Sequence, residues 1–389
     1  MIQTAWPYLA VIVLAAGLFP SLERSYDWRW FKVLPPIVLT YLAVTALAVA
    51  GLWESSEEIR FAQRTLISQL LPTLLFLLMA TCDLRAIIAL GPRLLAVFAC
   101  AMLSILIAIG LTYLLFRNLL PADGWKMMAA LSATWTGGSA NLLAVQQSIG
   151  LDGSSLPPVL LADALCYSVW VMVLFSSVGF APAFNRWTRA DTRPLPAAVA
   201  EATPLETTGP ATAGTVLLWL GLGLLVSVGA TRLAATMPTL QFFTATTWAV
   251  LLASVAGLIV ARTSLANLPG PAALASALLA VLVAVLASQS SFAGMADAPI
   301  FVLCGLVAML LHIAMLAAVA RLFRFDLHLC AIASLAQIGG VATAPLLAAT
   351  YSRVLVPIAV QMAMLGLIMG TGMGLLMARL LMPLAPTPD

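Results

Sequence analysis

The fold class predicted for this chain is an all-α integral membrane protein, and three observations predict it. Of its 389 residues, 62% are hydrophobic and 8% charged, whereas soluble domains carry roughly a quarter charged residues; the mean hydropathy is +1.06. Apolar runs of bilayer length recur from one end to the other. Two glycine-pair motifs occupy related places in the two halves of the chain. No water-soluble globule could bury this share of apolar surface. With 18 Lys+Arg against 15 Asp+Glu, a formal charge of +3 leaves no footprint for nucleic acid, so the lipid bilayer is the expected surrounding.

A hydrocarbon core of about 30 Å needs about 20 mostly apolar helical residues. Twelve runs approach this: 6–20, 33–53, 66–82, 94–116, 126–149, 156–182, 214–234, 242–261, 271–288, 299–323, 327–351 and 354–381. The first has no basic segment before it and reads as a retained span rather than a cleaved signal. The five cysteines are odd in number and form no CxxC pair, which fits small buried apolar residues.

Residues 183–213 form the one long polar stretch, rich in Pro, Ala and Thr. They read as a linker between an N-terminal transmembrane half, 1–182, and a C-terminal half, 214–389. Arg186, Arg189 and Arg193 place the linker in the cytoplasm by the positive-inside rule. Six spans before it would leave the N-terminus on that side too. Asp83, Arg85 and Arg93 close the third run as a polar, mainly basic loop.

The halves share a repeat. LSATWTGGSANLLAV covers 131–145 and SLAQIGGVATAPLLA covers 334–348, and the pairs Gly137-Gly138 and Gly339-Gly340 stand 339 − 137 = 202 positions apart. The same offset carries the neighbouring runs onto predicted spans. Inverted repeats need an odd number of crossings between equivalent helices, yet six runs lead from the fourth to the tenth. One run then fails to cross, or a glycine-broken segment dips in as a re-entrant loop, or the halves run parallel.

Adjacent glycines each cost close to 1 kcal/mol against alanine in a helix, so both pairs predict a break. Unpaired backbone groups at membrane depth are tolerated where they are buried in protein or line a watery cavity. Thr134, Thr136, Ser139 and Asn141 surround the first pair, and Ser334, Gln337, Thr343 and Pro345 the second. Such oxygens suit a hard cation or a polar solute; the plainer reading is close helix packing in lipid. Asp163 falls inside a run, where a carboxylate costs about 2.5–3.5 kcal/mol. It predicts a sodium or proton carrier, or else a structural carboxylate bound to a neighbouring helix or one that reaches the aqueous edge of a span starting later. His312 lies centrally in its run as a proton partner, a substrate ligand or a helix-to-helix hydrogen bond. The ladder Gly366, Gly370 and Gly374 is a double GxxxG and predicts a packing face.

The segments LPTLLFLLMATCDLR, TWTGGSAN, LLADAL and SLAQIGGVATA resemble the YjcL-like family of bacterial membrane proteins, over nearly the whole chain. That family is similar to the superfamily of cation:proton antiporters and anion transporters, which includes bile-acid:sodium and glutamate:sodium symporters. The resemblance implies paired discontinuous helices crossing at the bilayer midplane, a core moving against a scaffold, dimerisation through that scaffold, and inverted halves. It assigns Gly137, Gly138 and Asn141 to the first crossing motif, Ser334, Gly339, Gly340 and Thr343 to the second, and Asp163 to the acidic position after the first. Ala164, Gln337 and Val341 depart from the family's Asn, Asn and Pro.

The function expected is an ion-coupled (Na+ or H+) secondary transporter of a small organic solute in the bacterial inner membrane. Its site lies at Thr134, Thr136, Gly137, Gly138, Ser139, Asn141, Asp163, His312, Ser334, Gln337, Gly339, Gly340 and Thr343, with Na+ at Asn141, Asp163 and Thr343 and no other cofactor. The alternatives are a cation:proton antiporter without organic substrate, and a membrane enzyme or accessory subunit. No H-E-x-x-H, GxSxG or P-loop pattern occurs to support the last.

Overall fold

The computed structural model describes residues 1–26, 36–54, 56–82, 87–88, 90–190, 210–239, 244–289, 298–352 and 355–386. Asp83, Arg85, Arg193 and most of the polar linker lie outside the described residues. Among the described residues fifteen α-helices follow one another: α1 Ala5–Ser25, α2 Pro36–Val49, α3 Glu57–Ala80, α4 Gly91–Phe116, α5 Gly124–Gly137, α6 Ser139–Ile149, α7 Leu156–Ser176, α8 Ala181–Thr188, α9 Ala213–Ala234, α10 Ala245–Val260, α11 Pro271–Ala287, α12 Ala298–Phe323, α13 Leu327–Ile338, α14 Gly340–Tyr351 and α15 Val356–Leu381. Their starts are encoded locally. Ser56, Thr212, Thr244 and Asp326 accept from backbone N–H groups of the first turn, and prolines open α4, α11 and α15, where a missing N–H costs nothing.

Among the described residues seven helical segments are long and apolar enough to cross a membrane. They contain α1, α3, α4, α7, α9, α12 and α15. Three more predicted runs form the shorter apolar helices α2, α10 and α11. The remaining two, 126–149 and 327–351, are each broken in the middle, into α5 and α6 and into α13 and α14. The polar linker starts as a helix, since α8 reaches Thr188.

The chain folds into two compact units, and each draws on both halves of the sequence. The first comprises 1–82, 146–165 and 207–299. Here α3 packs on α9, α10 and α11, while α11 packs on α1 and α2. Glycines set the closest approaches: a Cβ on Gly223 would stand 2.7 Å from Thr73 Cγ2, and one on Gly257 would stand 2.6 Å from Met79 Cβ. The end of α11 is tied down by a buried polar knot. Ser288 Oγ pairs with Tyr8 Oη at 2.6 Å and accepts from Gln63 at 3.0 Å, while Trp53 Nε1 donates to the Ser288 carbonyl at 3.3 Å.

The second unit comprises 83–145, 166–206 and 300–389. It contains both glycine breaks. Its helices α4, α5, α13 and α15 pack mutually, and α14 packs on α15.

Removing the hydroxyl at the knot leaves a buried phenol and a buried amide short of a partner, a loss of about 1–3 kcal/mol. Ser288→Ala should therefore lower the melting temperature of the purified protein. Ser276→Ala is the control, because that exposed hydroxyl bonds only the Ala272 carbonyl of its own helix; equal melting of the two variants would remove the knot from the account.

Candidate functional site

The first glycine pair ends α5 with a backbone that side chains rarely adopt. Gly138 has φ +87° and ψ 172°, a region essentially restricted to glycine. Its N–H returns to the Thr134 carbonyl at 2.7 Å, closing α5 as α6 departs. The direction of α6 follows from what α15 touches. A Cβ on Gly374 would stand 2.6 Å from Val145 Cγ2 of α6 and 2.7 Å from Ala133 Cβ of α5. In one continuous helix those twelve residues would span roughly 18 Å. The chain therefore reverses at Gly138, and α5 and α6 form a helical hairpin.

The second break behaves alike. Gly340 has φ +65°, and His328 at the start of α13 stacks on Tyr351 at the end of α14, with ring centroids 4.1 Å apart. A continuous helix would separate them by roughly 35 Å. The predicted crossing helices are thus corrected to two hairpins, each closed by the second glycine of its pair. A break in helical pattern reveals a corner; the sense of the turn comes from the packing on α15.

The hairpins enter the second unit from opposite ends. Ser104 of α4 meets His312 of α12 at 2.8 Å, and Arg93 near the start of α4 pairs with Asp326, just beyond the end of α12, at 3.9 Å. Residue numbers rise in one helix as they fall in the other, so α4 and α12 are antiparallel. The base of α13–α14 lies at the Arg93 end. At the other end, Arg117 just after α4 donates to the Leu384 carbonyl at 3.4 Å, beyond the end of α15. The hairpin α5–α6 starts from that end, because α5 runs antiparallel to α15: Thr136 lies against Gly366 and Ala133 against Gly374.

The hairpins meet at Gly366. A Cβ there would stand 2.6 Å from the Thr136 carbonyl oxygen and 3.7 Å from that of Ala336. The glycine ladder is a packing face, as expected, and its partner is the first hairpin. A Cβ on Gly370 would fall 2.7 Å from Asn141 Nδ2 and 2.8 Å from Gly137 Cα.

The predicted site residues divide by what they bond. Asn141 is buried, donates to the carbonyls of Gly137 at 2.7 Å and Leu367 at 3.1 Å, and accepts from Thr371 at 2.5 Å. Its amide staples the hairpin to α15. Thr136 Oγ1 donates back to the Ser132 carbonyl at 2.7 Å. Thr134 is buried and Ser139 half-buried near the first tip.

His312 anchors a chain of four hydrogen bonds: Trp170 Nε1 to Ser334 Oγ at 3.0 Å, Ser334 Oγ to His312 Nε2 at 2.8 Å, His312 Nδ1 to Ser104 Oγ at 2.8 Å, and Ser104 Oγ to the Ala101 carbonyl at 2.7 Å. Indole N–H only donates and a carbonyl only accepts, so each hydroxyl passes its proton along one direction. The count closes with a neutral histidine protonated at Nδ1, a tautomer assigned from its network. His312 is a helix-to-helix link, and Trp170 and Ser104 are partners that the sequence pattern did not single out.

Around the second tip the balance is different. Gln337 Nε2 donates to the carbonyls of Phe98 at 3.1 Å and Ala333 at 3.3 Å, while its Oε1 has no partner among the described residues. Thr343 Oγ1, beside Gly339, and Gln361 Oε1 on α15 are likewise buried without a partner, as is the donor Trp135 Nε1 of α5. Buried polar atoms left unpaired each cost about 1–3 kcal/mol, so each can take a ligand atom or water; Thr40 on α2, Thr112 on α4 and Trp219 on α9 are left in the same state among the described residues. Each tip also offers the N-terminus of a half-helix, α6 or α14, with partial positive charge, beside the carbonyl end of α5 or α13. The arrangement can therefore hold an anionic group and a desolvated cation close together.

Asp163 belongs to the first unit. It is half-buried near the middle of the candidate span Gly153–Ser176, inside the span as expected. Among the described residues no group of three or more His, Cys, Asp or Glu side chains is arranged to hold a metal ion.

A helical membrane protein with paired hairpins is the class these observations define. The family described as "Protein of unknown function (DUF819)" matches residues 10–384, and the chain belongs to it. No curated protein matches the chain.

Substitutions on α15 test the seat of the first hairpin. Gly366→Ala places a methyl 2.6 Å from the Thr136 carbonyl oxygen, whereas a Cβ on Gly372 of the same helix would meet nothing within 4 Å. Overpacking of this kind costs about 1–3 kcal/mol. Gly366→Ala should melt well below the parent, and Gly372→Ala should match or exceed it.

Proposed function

We propose that this protein is an ion-coupled (Na+ or H+) secondary transporter, moving a small organic solute by alternating access across a bacterial cytoplasmic membrane. One observation carries the reading: two hairpins reach Gly366 from opposite ends, and buried oxygens of Gln337, Thr343 and Gln361 have no partners among the described residues. Non-helical backbone at membrane depth is expensive unless it lines a cavity or binding site. Paired broken elements from two repeats are how transporters build such sites. In this reading the solute and coupling cation bind at the tips, with Thr343 and Gln337 as oxygen ligands. Asn141 and His312 hold the site together, and Asp163 carries or senses the coupling ion.

The duplication belongs to the same proposal. Exchanging α1, α2 and α3 for α9, α10 and α11 leaves the packing of the first unit unchanged: α1–α2 answers to α9–α10, α2–α11 to α10–α3, and α1–α11 to α9–α3. Each half then supplies five crossings and one hairpin, so equivalent helices run in opposite directions and the halves are inverted. Ten crossings replace the expected twelve. The count also moves the N-terminus: five crossings before the basic α8 place residue 1 outside. Arg24, Arg93, Arg189, Arg262 and Arg324 then share the cytoplasmic side, as positive-inside orientation requires.

Two measurements test this. In a chain whose native cysteines are replaced, single cysteines at positions 3 and 386 should react with an impermeant maleimide from outside, and one at 187 only after permeabilisation; the opposite pattern for either terminus ends the ten-crossing topology. For coupling, the purified protein should melt higher in sodium than in choline, with Asp163→Asn abolishing the difference. Equal melting in both salts would remove sodium, and proton flux in proteoliposomes on addition of metabolite pools would then be the remaining support for ion coupling.

A further inference from the structure

The end of the second unit that carries the base of α13–α14 is crowded with arginine, and its described acid, Asp326, is already committed. Asp326 accepts from Leu329 N at 3.0 Å and pairs with Arg93 at 3.9 Å. Asn185 of α8 accepts from Leu327 N at 2.9 Å, which brings Arg186 and Arg189 beside the turn that holds Arg324. All three arginines are exposed, and among the described residues none has an acidic partner.

Two of them are held in an unusual way. Arg189 has φ +53° and Arg324 φ +57°, the only non-glycine residues with positive φ among the described residues. Glycine or asparagine normally takes this position after a helix, and a larger side chain there is strained by about 1–2 kcal/mol. An arginine kept at both corners points to a role for its side chain. The neighbouring apolar side chains say what medium it faces: Trp187 is 50% exposed and Phe323 57%. A short amphipathic helix with exposed Trp beside arginines is a membrane-interface element.

We propose that Arg186, Arg189 and Arg324 form a site for the phosphate of an acidic lipid headgroup, clamped between α8 and the base of the second hairpin. The bonded pair Asn185–Leu327 transmits the clamp, because a side chain of α8 itself accepts from the first N–H of α13. The lipid thereby fixes the hairpin's base against the membrane surface. This inference rests on membrane placement and stands apart from the transport reading.

The test uses the full chain in nanodiscs of phosphatidylcholine alone or mixed with phosphatidylglycerol. Arg186→Gln, Arg189→Asn and Arg324→Asn are the variants, since asparagine tolerates the left-handed backbone; Arg232→Gln, in the first unit, is the control. The parent should retain phosphatidylglycerol in native mass spectra and melt higher with it. Each arginine removed should weaken retention by roughly fivefold, while the control changes nothing. Retention equal in the parent and the triple variant overturns the site. Stabilisation of the detergent-solubilised parent by inorganic phosphate alone, as large as that by the lipid, overturns the lipid as occupant. Should the triple variant fail to fold, the parent decides: retention of phosphatidylglycerol must fall as salt is raised, and salt-insensitive retention refutes the proposal.

Discussion

The second unit depends on how closely α15 lets other backbones approach. Gly366, Gly370 and Gly374 place a strip of bare backbone where Thr136, Gly137, Asn141 and Val145 come within contact of positions that a methyl group would fill. In lipid there is no hydrophobic gain in pressing one apolar helix against another, so association relies on dispersion and hydrogen bonds, both of which need short distances. The ladder supplies those distances. It also lets the Asn141 amide reach the Leu367 carbonyl and the Thr371 hydroxyl, converting a packing contact into a fixed register.

That register makes the tips possible. A reversal at Gly138 exposes the ends of α5 and α6, and such ends survive at depth only when protein surrounds them. The wall on one side is α15. On that helix the Ala336 carbonyl approaches Gly366, the residue that also meets the Thr136 carbonyl, so displacement of either hairpin would be felt at the other through α15. The His312 chain holds a flank of the unit, joining α4, α7, α12 and α13 by bonds that run in a single direction. A neutral, fully satisfied imidazole stiffens that flank. Gln337, Thr343 and Gln361 differ from it in each holding a buried oxygen with no partner among the described residues.

Much of this was legible in the sequence because composition and period report burial in lipid directly. Helical class, the long spans, both breaks and the packing role of the ladder all follow from apolar run length and glycine placement. The fold-back was not legible, because 126–149 and 327–351 are each as long as a crossing. The one local hint is arm length: α6 and α14 have 11 and 12 residues, roughly 17–18 Å of helix, too short for a core of about 30 Å. Asn141 and His312 drew attention as polar residues in apolar surroundings, yet the same costs that make ligands conspicuous apply to structural hydrogen bonds. Only the partners tell the two apart. Trp170 and Ser104 escaped notice for the converse reason, since neither is unusual in a membrane helix until its partner is seen.

Under the proposed topology the hairpins account for the parity that a count of runs leaves open. If 126–149 crossed, equivalent helices would be separated by an even number of crossings and α4 would run parallel to α12. The contacts Ser104–His312 and Arg93–Asp326 show them antiparallel. One non-crossing element in each half satisfies both the repeat and the observed directions. Two elements of one kind, entering from opposite ends, then face each other across a glycine, and each presents a half-helix N-terminus to the same small region. A parallel repeat would place both hairpins at one end with their tips side by side, which the opposite entries seen at Arg93 and Arg117 do not fit.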